Sequence, residues 1–166
     1  MITYIIIGIT VLVSYLCFNN AELFRKLALI PYRTVKNNEW YRLITHGFVH
    51  ADMTHLLVNM FTFWSFGTYI EKVFGHLGFG TWGFLGLYFG GMIFASIYDL
   101  VKHHNDPYYV SIGASGAVSA VLFSYILFDP WSKILLFAII PVPGIIFGVV
   151  YLAYCQYMAK DRKSVV

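Results

Sequence analysis

The stretch SIGASGAVSAVLFSYILFD, residues 111–129, joins a flexible start around one serine to an uninterrupted apolar run. A helix over the apolar part, 114–128, would be roughly 22 Å long at about 1.5 Å per residue. The hydrocarbon core of a bilayer is roughly 30 Å thick, so this helix is too short to cross it without distortion or a dipping loop. Irregular backbone at that depth needs protein or water around it, so the sequence predicts a cavity at Ser115.

The composition of the whole chain is that of a membrane protein. Of its 166 residues, 59% are hydrophobic and only 11% are charged, whereas about a quarter of a soluble domain is charged. The net charge of +3 is small and scattered, which excludes a nucleic-acid-binding function. We therefore expect an integral membrane protein whose surroundings are the lipid bilayer.

Five apolar segments predict an all-α, polytopic bundle of transmembrane helices in a single domain, residues 1–166. The expected spans are 2–18, 53–70, 79–100, 114–128 and 134–158. Pro141 and Pro143 predict a kink or break in the last span, and Gly86 and Gly90 form a small-xxx-small pair for close helix packing. Cys17 and Cys155 both lie in apolar runs and are interpreted as small hydrophobic residues.

Three histidines and an asparagine cluster in the stretch THGFVHADMTHLLVN, residues 45–59. His55 and Asn59 are four residues apart and share one face of the second span, which Asp52 or Thr54 can cap. Ionisable groups inside a membrane are costly and usually mark function. Two alternatives remain: hydrogen bonding between helices, and a zinc site on His46 and His50 if that stretch is helical.

Ser115 stands at a predicted helix N-terminus, where backbone N–H groups lack partners and the helix dipole is positive. These N–H groups could hold an oxyanion, and His55 and Asn59 could supply further donors. Nucleophile, donors and buried water are the parts of acyl transfer. The alternative is that Gly-Ala-Ser-Gly serves only close packing.

Taken together, these motifs resemble the rhomboid family of intramembrane serine proteases over residues 37–128. The stretch EWYRLITHGFVHADMTHLLVNM, residues 39–60, is similar to the family's W-x-R and H-x-x-x-H-x-x-x-x-H-x-x-x-N pattern. Trp40 and Arg42 match the first-loop motif, and His50 matches a structural histidine of the pattern. His55 and Asn59 match the positions that assist the oxyanion.

The GASG stretch matches the family's nucleophile motif, which implies that Ser115 is the nucleophile, with Gly113 and Gly116 shaping the backbone around it. Glu71 matches a glutamate expected to tie down the first loop. The resemblance further implies a serine endopeptidase that cleaves peptide bonds in or near transmembrane helices of protein substrates, without metal or cofactor. It implies a multi-pass protein, which we place in the bacterial inner membrane.

One departure from the family concerns the general base, a histidine on a sixth helix. No histidine follows Ser115 in this sequence and no sixth apolar segment is present. We expect a truncated protease with five of six spans that is inactive alone. The alternatives are a non-catalytic rhomboid-like protein that binds transmembrane helices, or a base drawn from Lys102, His103 or His104.

The orientation predicted from charge conflicts with the resemblance. The loops 19–52 and 101–113 and the tail 159–166 together carry nine Lys and Arg residues, and the opposite side carries two. The positive-inside rule therefore places the N-terminus outside, whereas the family layout places it in the cytoplasm. We follow the family layout.

Overall fold

A computed structural model describes residues 1–136 and 139–161, with side chains described through residue 153 except that of Leu136. Contacts divide the chain into two units, Met1–Leu122 and Phe123–Val166. The chain is predominantly helical. The side chain of Cys155 lies outside the described part, and Cys17 is buried as a free thiol.

The first unit opens with a long apolar helix and a loop that folds into short helices. Helix α1 is Ile2–Phe18, and the loop contains α2 Ala21–Leu27, α3 Pro31–Lys36, α4 Arg42–Thr45 and a 3₁₀ turn, His46–Phe48. The N-cap Asn20 accepts a hydrogen bond from Leu23 N (2.9 Å) to start α2, and Pro31 at the first turn starts α3. Helices α3 and α4 pack on the long helix Gly80–His103, so the loop is a folded part of the unit.

Three further helices follow the loop: α5 Met53–His76, α6 Gly80–His103 and α7 Ser115–Phe128. Helix α5 packs between α1 and α6. Its Phe63 is fully buried, with ring centroids 4.8 Å from Tyr88 and 6.2 Å from Phe84 of α6. This aromatic cluster fixes α5 beside α6. Asp52 caps α5 by accepting a hydrogen bond from His55 N (2.8 Å), one of the two predicted caps.

The second unit contains a hairpin that the sequence did not predict. Strands β1 Lys133–Leu136 and β2 Ile140–Pro143 pair antiparallel, and α8 Gly144–Asp161 follows directly. The prediction of one helical span over 134–158 is therefore wrong, while the chain as a whole is mostly helical. The predicted break at Pro141 and Pro143 is confirmed: both residues lie in β2, and the helix begins only after them because proline cannot continue an α-helical hydrogen-bond ladder.

The predicted number of spans is not confirmed. Among the described residues, α6 is the one helix long and apolar enough to cross a membrane by length and composition, and α1, α7 and Gly144–Ala153 are shorter apolar helices. The predicted limits match α1, and they agree within three residues for α6 and α7. Helix α5 continues six residues beyond the predicted end, since nothing in its sequence after Ile70 breaks a helix until the C-terminal turn at Leu77 and Gly78.

Candidate active site

Ser115 is the first residue of α7, where the preceding loop ends. It is exposed, and within the described part of the chain its hydroxyl has no hydrogen-bond partner. The neighbouring Ala114 and Ala117 are fully buried. The serine is thus presented at a helix N-terminus, on the side of α7 that faces away from the packed interior. The predicted cavity at this position stays a prediction.

Gly113 brings the loop before Ser115 against the ring of His55. Its φ of +106° lies in the left-handed region that favours glycine. A Cβ at this position would also lie 2.9 Å from His55 Cε1 and 3.1 Å from His55 Nε2. The Cε1–Nε2 edge of the His55 ring therefore packs on the backbone two residues before Ser115. No larger residue fits at position 113 without displacing that ring.

Two backbone contacts hold the same loop in place. Gly113 N donates a hydrogen bond to His46 O at 3.0 Å. Ser111 and Leu29 form an antiparallel bridge, with N–H···O distances of 2.9 and 3.0 Å. The folded first loop is consequently bonded at two points to the segment that leads into α7.

Asn59 lies one turn after His55 on α5 and is buried at 7% exposure. Its Nδ2 donates to His55 O at 3.0 Å. An asparagine amide carries two N–H groups, so this bond leaves a second donor. His55 and Asn59 share one face of α5, and the edge of His55 at the start of that face lies against Gly113.

His50 and His46 are buried beside this face and hydrogen-bonded within the protein. Burial, with the nearby His55 as a lesser cause, lowers the pKa of His50 from 6.5 to about 4, so its imidazole is neutral at pH 7. Burial also lowers the pKa of His46. His46 Nδ1 lies 2.8 Å from Arg42 O and must donate to it, and Nε2 lies 3.3 Å from Ser96 Oγ.

This arrangement does not fit a zinc site on His46 and His50. The 3₁₀ turn ends before Val49, which is extended (φ −113°, ψ 134°), so the two histidines do not share a helical face. Both ring nitrogens of His46 face protein groups. Among the residues that the structure describes, no three His, Cys, Asp or Glu side chains are close enough to hold a metal ion.

The candidate bases before Ser115 are engaged with neighbours in sequence. The His103 ring stacks on Tyr109 at 3.6 Å, and His104 Nδ1 lies 2.7 Å from Val101 O. The Lys102 ammonium lies 5.2 Å from the centre of the Tyr98 ring. These contacts give no support to a base from this loop.

Arg42 is the residue that holds the first loop together. Its buried guanidinium donates to Glu39 Oε2 at 2.5 Å, to Arg25 O at 2.8 Å and to Ala28 O at 2.5 Å. These three bonds join α4 to the C-terminal end of α2. The side chain of Trp40 is half exposed, and its backbone carbonyl accepts a hydrogen bond from Leu43 N at the start of α4.

Glu71 does not tie down the first loop, and that expectation is wrong. Its carboxylate accepts hydrogen bonds from Ile2 N (2.7 Å), Thr3 N (3.1 Å) and Thr3 Oγ1 (2.7 Å). Since α1 runs toward the loop and α5 runs away from it, the end of α5 meets the start of α1. There the carboxylate caps unpaired N–H groups at the positive end of the α1 dipole.

Gly116 packs the start of α7 closely against α6. A Cβ on Gly116 would lie 2.5 Å from the Cβ of Ala95, and one on Gly91 would overlap the Cβ of Ala120. Each helix thus contributes one glycine and one alanine four residues apart, which permits close approach. The predicted pair was Gly86 and Gly90, but a Cβ at either position would meet nothing within 4 Å. The contact falls on the next face of the helix.

Two functional candidates were missed at the level of sequence, Ser14 and Ser96. Ser14 Oγ lies 2.9 Å from His50 Nδ1, and Ser96 Oγ contacts His46. Both are fully or nearly fully buried polar residues in apolar helices. A hydroxyl in an apolar span is a recognisable signal, but it does not identify its partner.

Comparison with known proteins places these residues in a family. Residues 37–164 match the Rhomboid domain family model. The chain is similar to RHOMBOID-like protein 12, mitochondrial, of Arabidopsis thaliana (29% identity, covering 84% of this chain and 44% of the relative). It is also similar to Putative rhomboid protease YdcA (39% identity, 55% and 43%) and Rhomboid protease GluP (31% identity, 72% and 23%), both of Bacillus subtilis.

The chain spans less than half the length of each of these three relatives. Their names include a mitochondrial protein, so they do not place this chain in the bacterial inner membrane. The family match covers the first-loop motif, both long helices that carry the histidines and glycines, and Ser115. The chain belongs to the rhomboid family.

Proposed function

We propose that this chain carries the nucleophile and oxyanion-binding part of an intramembrane serine endopeptidase. The observation that carries the proposal is the packing of the His55 Cε1–Nε2 edge on Gly113, two residues before Ser115. It brings a polar ring from α5 to the N-terminus of the helix that begins with an exposed serine. Substrates are membrane proteins cut in or near their transmembrane helices, and the bilayer is the working environment.

In the proposed reaction, Ser115 Oγ attacks the carbonyl carbon of the scissile peptide bond and loses its proton to a base. The resulting oxyanion is stabilised by backbone N–H groups at the start of α7, by the His55 ring and by the free N–H of Asn59. Collapse of the intermediate breaks the C–N bond, and the amine leaves with a proton from the base. Water then hydrolyses the acyl-enzyme and regenerates Ser115.

The residues described above do not supply the general base of the proposed reaction. No histidine follows Ser115 in the sequence, and the hydroxyl has no hydrogen-bond partner in the described part of the chain. A serine hydroxyl without an adjacent base is a weak nucleophile. We propose that a group outside these 166 residues acts as base, and that the chain alone cleaves no substrate.

A small-molecule base tests this proposal directly. The purified chain is treated with a fluorophosphonate probe in detergent at increasing imidazole concentration, and the labelled residue is identified by mass spectrometry. We expect labelling of Ser115 that accelerates with imidazole, because free imidazole takes the proton. His55→Ala should slow labelling by about 10²–10³, the usual effect of removing one oxyanion donor.

Ser119→Ala is the matched control, since Ser119 lies one turn further along α7. It should label like the wild-type chain, and Ser115→Ala should not label at all. Equal labelling of the Ser115→Ala variant, or no label on Ser115 at any imidazole concentration, would overturn the proposal.

The unpartnered hydroxyl also favours a second function, a non-catalytic protein that binds transmembrane helices. In that case Ser115 stays unlabelled while a reconstituted transmembrane peptide still binds the chain, as measured by energy transfer in vesicles. We propose that the protein lies in the bacterial inner membrane. Localisation of the tagged protein in cells tests this.

A further inference from the structure

The buried hydroxyl of Ser14 determines which nitrogen of His50 carries a proton. Ser14 Oγ lies 2.8 Å from Phe48 O and 2.9 Å from His50 Nδ1. A carbonyl oxygen only accepts, so the single hydroxyl proton is donated to Phe48 O. His50 Nδ1 must therefore be the N–H that donates to Ser14 Oγ.

This assignment leaves the Nε2 lone pair of His50 bare. His50 is fully buried, and Nε2 has no hydrogen-bond partner in the described part of the chain. The lowered pKa of His50 agrees with a neutral ring in this position. An unpaired buried acceptor costs about 1–3 kcal/mol, and each such group in a native protein calls for an explanation.

The locked ring of His50 packs on the ring of His55. Their centroids are 4.9 Å apart and the ring planes meet at 71°, an edge contact. On another side, the Cε1–Nε2 edge of His55 meets Gly113. His55 is thus held between a buried ring that cannot turn and the backbone that leads to Ser115.

We propose that Ser14 and His50 are positioning residues for His55. The α1 hydroxyl locks His50 as the neutral Nδ1–H tautomer, and the locked ring holds His55 against the segment before Ser115. Because the one N–H of His50 is donated to Ser14 Oγ, His55 is the ring of the pair that can present an N–H to developing negative charge. The catalytic part of this inference rests on the proposed function.

The test compares three α1 variants in the full chain. Ser14→Ala removes the hydroxyl, and Ser14→Thr retains it. Thr10→Val removes a buried hydroxyl one turn earlier, whose one bond in the described part of the chain is to Ile6 O. Two measurements are made on each variant: the tautomer of His50 by ¹⁵N NMR of histidine-labelled protein, and the rate of imidazole-assisted labelling of Ser115. Circular dichroism confirms that each variant is folded.

We expect the wild-type chain, Ser14→Thr and Thr10→Val to show His50 protonated on Nδ1 alone. Ser14→Ala should give a mixture of tautomers, shifted His55 resonances and labelling slowed roughly tenfold, comparable to the loss of a group that orients a histidine at a metal site. An unchanged His50 tautomer or unshifted His55 resonances in Ser14→Ala would overturn the inference.

The two proposals fail separately. If Ser115 takes no label in any variant, the proposed function is wrong, and the NMR measurement still decides whether Ser14 and His50 position His55. If Ser115 labels equally fast in Ser14→Ala and wild type, the proposed function stands and the positioning role is wrong.

Discussion

The contact between α6 and α7 gives a prediction whose size follows from the structure. Replacing Gly91 by alanine would place a methyl group over the Cβ of Ala120, and in the reciprocal contact a Cβ on Gly116 would lie 2.5 Å from that of Ala95. Carbon atoms in contact are about 3.5–4 Å apart, so the helices must separate by roughly 1 Å. Overpacking of this kind costs about 1–3 kcal/mol.

The neighbouring glycine provides the control. A Cβ on Gly90 would meet nothing within 4 Å, so Gly90→Ala should gain up to about 1 kcal/mol from helix propensity alone. Gly91→Ala has the same propensity gain, and the difference between the two free energies of unfolding isolates the packing cost. We expect Gly91→Ala to be less stable than Gly90→Ala by about 1–3 kcal/mol.

The assay is equilibrium unfolding in mixed micelles followed by circular dichroism, extended to a double-mutant cycle with Ala120→Gly. Since Ala120→Gly removes the methyl group that Gly91→Ala would strike, the pair should show a favourable coupling of similar size. Equal stabilities for Gly90→Ala and Gly91→Ala, or a coupling near zero, would refute the close packing described here.

Two further predictions concern His50 and Arg42. The pKa of His50 is about 4 in the folded protein, against an ordinary value of 6.5. As the pH falls, His50 is therefore protonated earlier in the unfolded state than in the folded state, and the free energy of unfolding decreases from above pH 6.5 to about pH 4. This loss of stability is about 3 kcal/mol. Unfolding measured at each pH should show no such loss in His50→Gln, and the same loss as in the wild type when the exposed His76 is replaced by glutamine. Arg42→Ala should cost about 1–3 kcal/mol, because it leaves the buried carbonyl of Ala28 without its partner, whereas Arg33→Ala, an exposed partner of the same Glu39, should cost less than about 1 kcal/mol; similar losses in the two unfolding curves would contradict the role given to Arg42.

The apolar runs predicted the long helices well because their signal is local. The limits of α1, the cap at Asp52 and the break at Pro141 and Pro143 all follow from residues within a few positions. The hairpin of β1 and β2 was missed because a short apolar run has the same composition in a strand as in a buried helix. The pairing that decides between them is not local.

In the candidate site, too, local features were predicted from the sequence and contacts between distant residues were not. The spacing of His55 and Asn59 predicted a shared helix face, and the resemblance of GASG to the family motif implied that Gly113 shapes the turn before Ser115. Sequence spacing could not show that Glu71 meets the start of α1, nor that Ser14 bonds to His50, because these contacts join residues far apart in the chain. The choice of Gly91 over Gly90 depends on the rotation of α6, which a small-residue pattern leaves undetermined.

The bridge between Leu29 and Ser111 has a consequence for interpreting genetic screens of this protein. Because it ties the segment ahead of Ser115 to a loop that Arg42 holds together, substitutions in that loop would reach Ser115 through backbone alone. Under the proposed function, inactivating changes would then appear at positions that never meet a substrate, and a map of such positions would trace the mechanical support of the site rather than its chemistry.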